Sequence, residues 1–203
     1  RAAWCLREAL RIAPNMPRVR ARLGYVFAAS GNRHRALQMY LRDLRDDPGN
    51  IDTLLDYGEL LADLGQLGEA GEKFRRVLEL DPANIDAHAH LGHLAMLSRE
   101  YERAHVEFEL VYKLDPGYPT VRIDLGEVLL FRGRVDEARY YLRQELQSQL
   151  DSSDFTLSFT EAARLGLLLS RCELFAEAVD LYELMLLQFG ESADLRRELA
   201  HAR

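Results

Sequence analysis

Four prolines recur at a constant distance along the chain. Pro14, Pro48, Pro82 and Pro116 are each separated by 34 residues. A fixed period of this size is typical of stacked helix-turn-helix repeats, in which each repeat buries its apolar face only against its neighbours. The spacing therefore predicts an all-α fold built as an array, rather than a domain with one central core.

A glycine follows the same period inside the predicted helices. In the repeat that ends at Pro82 it is Gly58, and a glycine in a helix interior costs about 1 kcal/mol relative to alanine. Its return in every repeat therefore requires a compensating contact, and we expect the two helices of each repeat to approach closely at this point. The equivalent glycines are Gly24, Gly92, Gly126 and Gly166.

The starts of the first helices carry recognisable signals. Asn50 and Asn84 precede the first helical position of their repeats, where an asparagine side chain caps free backbone N–H groups. Pro17 and Pro119 occupy the first helical position itself, which tolerates proline because its N–H is unpaired in any case. We therefore predict that two different residue types start these helices.

The period breaks once, after the fourth repeat. Gly166 follows Gly126 by 40 residues instead of 34, which indicates six inserted residues around positions 151–156. We expect an exposed loop there, and Ser158 with Glu161 forms a predicted capping box that opens the fifth repeat. The predicted single array comprises the second helix of an incomplete repeat (1–16), four repeats (17–50, 51–84, 85–118, 119–150), an insertion loop (151–158), a fifth repeat (159–192) and a terminal helix (193–203).

Composition limits the classes of function. The net charge is −7, yet the first 50 residues contain ten arginines and only four acidic residues. No apolar run approaches the roughly 18 residues of a membrane span, so we predict no span in this stretch of chain. Cys5 and Cys172 lie near opposite ends of the sequence, too far apart for a disulfide, and we interpret both as small core residues.

Position by position, the repeat resembles the tetratricopeptide repeat. Gly58, Leu61, Ala70, Phe74 and Pro82 match the pattern of that family, and the resemblance extends over nearly the whole chain. The departures are local. No Trp stands at the first aromatic position, Gly190 ends the fifth repeat, and Arg99 replaces the turn glycine found at Gly31, Gly65 and Gly133.

This resemblance implies a right-handed superhelical solenoid of stacked antiparallel helix pairs, with the first helices lining a concave groove that binds protein ligands. The groove would be acidic, with Leu55, Ile123 and Phe131 as apolar anchors, and would bind a basic, partly apolar peptide or partner segment. The predicted groove residues are Arg18, Arg22, Tyr25, Asp52, Leu55, Asp56, Glu59, Asp63, Asp86, His90, His93, Met96, Ile123, Asp124, Glu127, Phe131, Arg164 and Arg171.

Three alternatives to peptide binding remain open at this point. The groove could be a solvated face without a ligand, or the chain could be a self-association module that pairs through the ends of the array. The chain could also have a metal-dependent or nucleic-acid-linked activity. The family's clamp for chaperone carboxylate tails requires Lys and Asn at defined positions. It is not expected here, because those positions hold Ala21, Tyr25, Asp56, Asp86 and His90.

Catalytic and cofactor signals are weak. His90 and His93 are three residues apart on one predicted helix, and we interpret them as solvated groove histidines rather than metal ligands. The glycines Gly65, Gly68 and Gly71 have neither of the spacings that bind phosphates or dinucleotides. The arginines of residues 18–45 lack interleaved aromatics, so nucleic acid is an unlikely partner. The sequence thus predicts a non-catalytic scaffold with no cofactor and no metal.

Overall fold

The computed structural model describes residues 4–6, 8, 11, 19–152, 155–190 and 192–203. Every regular element within these residues is an α-helix, which confirms the predicted all-α class. The chain divides into two compact units, Arg1–Ser98 (unit 1) and Arg99–Arg203 (unit 2). The division falls inside the predicted third repeat, and the continuity of the array across it stays a prediction.

Unit 1 is built from packed helix pairs. A three-residue turn joins α1 to α2 and α3 to α4, and so short a connection leaves the two packed helices antiparallel. The pairs stack, because α3 also packs against α1, α2 and α5. The described helices of unit 1 are α1 (Val19–Ala29), α2 (Arg33–Asp46), α3 (Ile51–Asp63), α4 (Leu67–Leu80) and α5 (Ile85–Leu97).

The helix starts in unit 1 follow the predicted capping. The Asn50 side chain accepts the N–H of Thr53 at 3.3 Å, and the Asn84 side chain accepts the N–H of Ala87 at 3.0 Å. Both predicted N-caps are therefore confirmed. The side-chain oxygen accepts a hydrogen bond from a backbone N–H that has no acceptor within the helix. Each cap therefore fixes where the first helix of its repeat begins.

The close approach predicted at the repeated glycine is present in both units. A Cβ atom on Gly58 would lie 2.5 Å from the Phe74 ring, and one on Gly126 would lie 2.5 Å from Leu142. No side chain larger than hydrogen fits there without movement of a buried neighbour. Gly24 and Gly166 face Tyr40 and Tyr182 in the same way.

The core of unit 1 extends to the N-terminal segment. Leu6 packs against a cluster of buried side chains that includes Leu23, Phe27, Tyr40 and Tyr57. The helix predicted over residues 2–12 falls largely outside the described residues, although positions 4–6, 8 and 11 are helical. The predicted site residue Arg18 and the helix start at Pro17 also lie outside the described residues.

Unit 2 contains the remaining helices. Consecutive helices from α6 to α11 pack against one another, and α9 also packs against α7. The predicted helix start at Pro119 is wrong: α7 begins two residues later, because Thr120 adopts a left-handed φ of 63° that interrupts the helix. The described helices are α6 (Tyr101–Leu114), α7 (Val121–Phe131), α8 (Val135–Asp151), α9 (Phe159–Arg171), α10 (Phe175–Phe189) and α11 (Ala193–Ala202).

The insertion after the fourth repeat is exposed but anchored. Thr156 is exposed, as predicted for a loop, whereas Asp151 is exposed but still belongs to α8. Residues 153 and 154 lie outside the described residues. The buried Gln149 side chain accepts the N–H of Thr156 at 3.0 Å, and Leu157 is buried. The end of the insertion is thus attached to the C-terminal end of α8.

The fifth repeat opens with the predicted capping box. The Ser158 hydroxyl accepts the N–H of Glu161 at 3.3 Å, and the Glu161 carboxylate accepts the N–H of Ser158 at 2.7 Å. Both bonds of the box are present, so this prediction is confirmed. α9 therefore begins at a defined residue in spite of the insertion before it.

Candidate functional site

A pocket in unit 1 brings four of the predicted groove residues together. Arg22 and Tyr25 of α1 and Asp52 and Asp56 of α3 line a space of about 650 Å³. α1 and α3 are neighbouring first helices that pack directly against each other. The stacking of the helix pairs is therefore what places these side chains on one surface. The remaining lining residues are Cys5, Leu6, Ala21, Val26 and Asn50.

The walls of this pocket are largely apolar. Leu6, Val26 and the Tyr25 ring contribute carbon surface, and Tyr25 is 58% exposed despite its size. An exposed aromatic ring beside a concave apolar wall is a feature of binding surfaces rather than of a solvated helix face. The pocket can therefore bury an apolar side chain, or the methylene stem of a long charged one.

Three carboxylates follow one face of α3 at the edge of the pocket. Asp52, Asp56 and Glu59 are spaced by four and three residues, which places them next to one another on the helix surface. The pKa of Asp56 is raised to about 6, first by burial and then by the charges of Glu59 and Asp52. The pocket thus holds negative charge that its surroundings do not fully compensate.

The same charges affect the tyrosine behind the pocket. Tyr40 of α2 is buried against α1, and burial raises the pKa of its hydroxyl, with Asp56 and Glu59 as further causes. Arg22 also lines the pocket, yet within the described residues no ion pair links it to Asp52 or Asp56. The carboxylates of Asp52 and Asp56 are therefore not neutralised by an ion pair with the arginine of their own pocket.

Glu59 has a partner on the next first helix. Its Oε1 lies 3.1 Å from Nε2 of His90 on α5, and the His90 ring stacks on Phe74 with 4.6 Å between ring centroids. Protonation of His90 would compensate the charge of Glu59. This pair connects the pocket to the remaining predicted positions on α3 and α5, which are the exposed Asp63, Asp86 and His93 and the half-buried Met96.

Leu55 contributes less surface than predicted. It is half-buried and packs against the core clusters of unit 1. Among the described residues that line the pocket, the apolar surface comes instead from Leu6, Val26 and Tyr25. The sequence does not predict Leu6 as a pocket residue, because it belongs to the incomplete repeat. It does not predict Val26, because Val26 is not at one of the repeat positions expected to face the groove.

In unit 2, two predicted groove residues are corrected by their burial. Ile123 is fully buried and belongs to the core, so it cannot serve as a surface anchor. Asp124 is only 2% exposed, and its Oδ1 lies 2.8 Å from Nη1 of Arg164. The Thr120 hydroxyl donates to the other carboxylate oxygen of Asp124, Oδ2, at 3.0 Å. Arg164 lies on α9, which packs against α7, so the Asp124 carboxylate faces the next first helix rather than an open groove.

Arg164 also pairs with Glu127. Its Nε donates to Oε2 of Glu127 at 2.8 Å, so one guanidinium joins two carboxylates of α7. Burial lowers the pKa of Arg164, but the charges of Asp124 and Glu127 outweigh it, and the pKa is raised. The carboxylates that the sequence assigns to an acidic strip are therefore compensated within unit 2 itself.

Phe131 remains at the surface of unit 2. It is exposed, its ring stacks on Tyr101 at 4.8 Å between centroids, and the Arg171 guanidinium lies 5.4 Å from its centroid. These three side chains form a small cluster in which Tyr101 is half-buried. Both predicted residues, Phe131 and Arg171, thus meet in space, together with a tyrosine that the sequence did not single out.

Two histidines, His88 and His105, are buried. Nε2 of the buried His88 lies 3.1 Å from the carbonyl oxygen of Pro82, and burial lowers the pKa of His105. Across the described residues, no three His, Cys, Asp or Glu side chains come close enough to hold a metal ion. Cys172 is buried as predicted, whereas Cys5 is exposed, which corrects its assignment to the core.

None of the helices in the described part of the chain combines the length and hydropathy needed to cross a bilayer.

Three family profiles match the sequence. One is described as TPR repeat and matches residues 58–96, and two are described as tetratricopeptide repeat and match residues 20–52 and 95–154. None of the curated proteins matches the chain.

Several solved structures share the fold. A tetratricopeptide repeat protein from Parabacteroides merdae has a TM-score of 0.75 at 19% identity, over 98% of this chain and 77% of that one. The pilF protein of Pseudomonas aeruginosa has a TM-score of 0.75 at 21% identity, over 97% and 86%. A chain of the APC/C hetero-tetramer Cut9-Hcn1 has a TM-score of 0.76 at 15% identity, over 98% and 38%.

At these identities the likeness concerns the fold alone. The repeated glycines, the caps, the stacked helix pairs, the matching profiles and the similar structures all agree with one another. This fold supports a role in protein interaction, and its members are typically non-catalytic scaffolds. The chain belongs to the tetratricopeptide repeat family.

Proposed function

We propose that this chain is a non-catalytic scaffold that binds a basic, partly apolar segment of a partner protein in the pocket of unit 1. The observation that carries the proposal is the joint presence of uncompensated carboxylates and apolar walls in one space of about 650 Å³. A cationic side chain would meet Asp52 and Asp56, and its methylene stem would pack on Tyr25.

The charge at Asp56 supports a cationic ligand in particular. Its pKa is raised to about 6, because burial and two neighbouring acids disfavour the ionised form. A guanidinium or ammonium group in the pocket would relieve this repulsion, so binding would stabilise the carboxylate. A neutral or acidic ligand would not relieve the repulsion, so the pocket prefers a ligand of positive charge.

Single charge pairs are too weak to account for binding alone. An exposed pair contributes about 0.2 to 1 kcal/mol, so affinity requires several pairs together with the burial of apolar surface. Leu6 and Val26 supply that surface beside the acids. We place the binding site in unit 1 alone, because in unit 2 the carboxylates of Asp124 and Glu127 already pair with Arg164.

The test is the binding of a fluorescein-labelled peptide composed of arginine, leucine and alanine, followed by fluorescence anisotropy. The double variant Asp52→Asn with Asp56→Asn should bind it about tenfold more weakly, since two charge contacts are lost. The matched control, Glu69→Gln with Glu79→Gln, removes the same charge from α4 outside the pocket and should bind like the wild type. Equal affinity of the pocket variant and the wild type would contradict the proposal.

A further inference from the structure

A second pocket in unit 1 lies between α2 and α4, over the helix α3 that they flank. Its volume is about 470 Å³, and none of the residues that line the acidic pocket takes part in it. The base is formed by Leu54 and Tyr57 of α3, which are both buried. The two pockets therefore use different side chains of the same central helix.

Two exposed apolar residues, Leu41 and Pro48, line the rim of this second pocket. Leu41 of α2 is 51% exposed. Together with the buried base, it gives the pocket a continuous apolar strip from its floor to its edge. Such a strip can receive a leucine-sized side chain of a partner.

The rest of the rim is mainly cationic. Arg45 of α2 and Lys73 and Arg76 of α4 line the pocket, against one acid, Glu72. Arg76 pairs with Glu79 at 2.6 Å, and Lys73 Nζ lies 5.7 Å from the centroid of the Tyr57 ring. Within the described residues, neither Arg45 nor Lys73 forms an ion pair. Two cations thus stand beside an apolar pocket with their charge uncompensated.

We propose that this pocket binds an acidic amphipathic helix of a partner protein. A leucine-type side chain of that helix would enter between Leu41 and Tyr57, and carboxylates one turn away would meet Arg45 and Lys73. This is the helix-in-groove mode of recognition, with apolar anchors that recur every three to four residues. The sign of the charge is opposite to that of the acidic pocket, so the two surfaces select different ligands.

The lining residues favour a peptide over a nucleic acid. Phosphate binding relies on a track of cations, and its affinity does not need an apolar cavity. Here the cations surround an apolar strip, and Glu72 would repel a phosphate backbone. In a helix with leucines on one face and glutamates beside them, the leucines can pack on the apolar strip and the glutamates can pair with the cations of the rim.

The probe for this proposal is a fluorescein-labelled helical peptide of glutamate, leucine and alanine, with leucines at positions i and i+4. Arg45→Glu with Lys73→Glu should weaken its binding about tenfold, because both free cations are reversed. The matched control is Arg42→Glu with Arg75→Glu, which makes the same charge change on exposed positions of α2 and α4 outside the pocket. The control should bind within about twofold of the wild type.

Leu41→Ser provides a second variant that keeps every charge. It lies on the surface, so it should fold normally, and it should also weaken the probe severalfold by removing the apolar edge. The double variant Asp52→Asn with Asp56→Asn should bind the acidic probe like the wild type, which separates this proposal from the proposed function. A peptide with serine in place of each leucine should not bind.

Three results would overturn the proposal. The first is equal affinity of the wild type and the Arg45→Glu, Lys73→Glu variant. The second is an equal loss of affinity in the Arg42→Glu, Arg75→Glu control, which would mean that only net charge matters. The third is full competition by a single-stranded oligonucleotide together with unchanged binding of Leu41→Ser, which would assign the surface to nucleic acid.

Discussion

The carboxyl group of Asp56 is held between Asp52 and Glu59, and its pKa is raised from the ordinary 3.8 to about 6. The folded state therefore binds this proton more tightly than the unfolded chain does. Ionisation of Asp56 weakens the fold as the pH rises from about 4 through 6, and the loss is complete above that range. This unfavourable ionisation agrees with a role in binding, because a bound cation would relieve it.

At the same scale, Gly58 provides a direct test of packing within a repeat. Its Cβ would lie 2.5 Å from the Phe74 ring, so Gly58→Ala should lower the free energy of unfolding by about 1 to 3 kcal/mol. Gly68 is the matched control, because a Cβ there would meet open space. Gly68→Ala should raise stability by up to about 1 kcal/mol, since alanine favours the helix. Urea denaturation measures both changes.

The close approach is refuted if Gly58→Ala and Gly68→Ala change stability in the same direction and by the same amount. The sequence alone predicts the Gly58 contact, because the 34-residue period repeats the glycine in every pair of helices. Burial of Ile123 was not predictable in the same way. It arises from packing between helices, and no local pattern in the sequence reports that packing.

Among the helices, α7 and α9 are joined by one ion-paired arginine. Asp124 is buried, and Arg164 is the cation beside it. Removing one partner of a fully buried pair costs about 3 to 5 kcal/mol, and the cost should be smaller here because Arg164 is partly exposed. We expect Arg164→Leu to lower the free energy of unfolding by about 1 to 3 kcal/mol.

The matching experiment restores the balance of charge. Asp124→Asn in the Arg164→Leu background should recover part of the loss, because the buried carboxylate no longer needs a cation. Arg171→Leu is the control, since Arg171 is exposed and only lies over the Phe131 ring, and it should change stability by less than about 1 kcal/mol. If Asp124→Asn deepens the loss caused by Arg164→Leu, the assignment of this pair is wrong.

The elements also show the limit of sequence reasoning about the site. Helix starts at Asn50, Asn84 and Ser158 were predictable, because capping is a local interaction within four residues. The pairing of Arg164 with α7 is not local, since about one repeat separates the partners along the chain. An arginine one repeat after two acids on the same helix face is the signal that could have revealed it.

For the molecule as a whole, the net charge of −7 does not describe the two proposed binding surfaces. Unit 1 alone contains a pocket beside the acids of α3 and a second pocket beside the cations of α2 and α4. Composition averages these charges, so it predicts neither surface. Both surfaces are close to solvent, and the screening length is about 8 Å at physiological salt, so binding at either should weaken as salt rises.

The central claim is that an ionised Asp56 contacts a cationic partner in the pocket of unit 1. Its pKa of about 6 places the ionisation in an accessible pH range. The titratable groups nearby are Asp52 and Glu59 on the same helix, Tyr40 on α2, His90 on α5, and Cys5, Arg22 and Tyr25 of the pocket lining. Because His90 faces Glu59, the variant His90→Gln serves as the control for its contribution.

The most direct test measures the affinity of the arginine, leucine and alanine peptide between pH 5 and pH 7.5 at constant salt. A bound cation lowers the pKa of Asp56, so the wild type and His90→Gln should bind about fivefold more tightly at the upper end of the range. Asp56→Asn should bind weakly at every pH, with little slope. A wild-type affinity that is independent of pH, or the same slope in Asp56→Asn, would contradict the account.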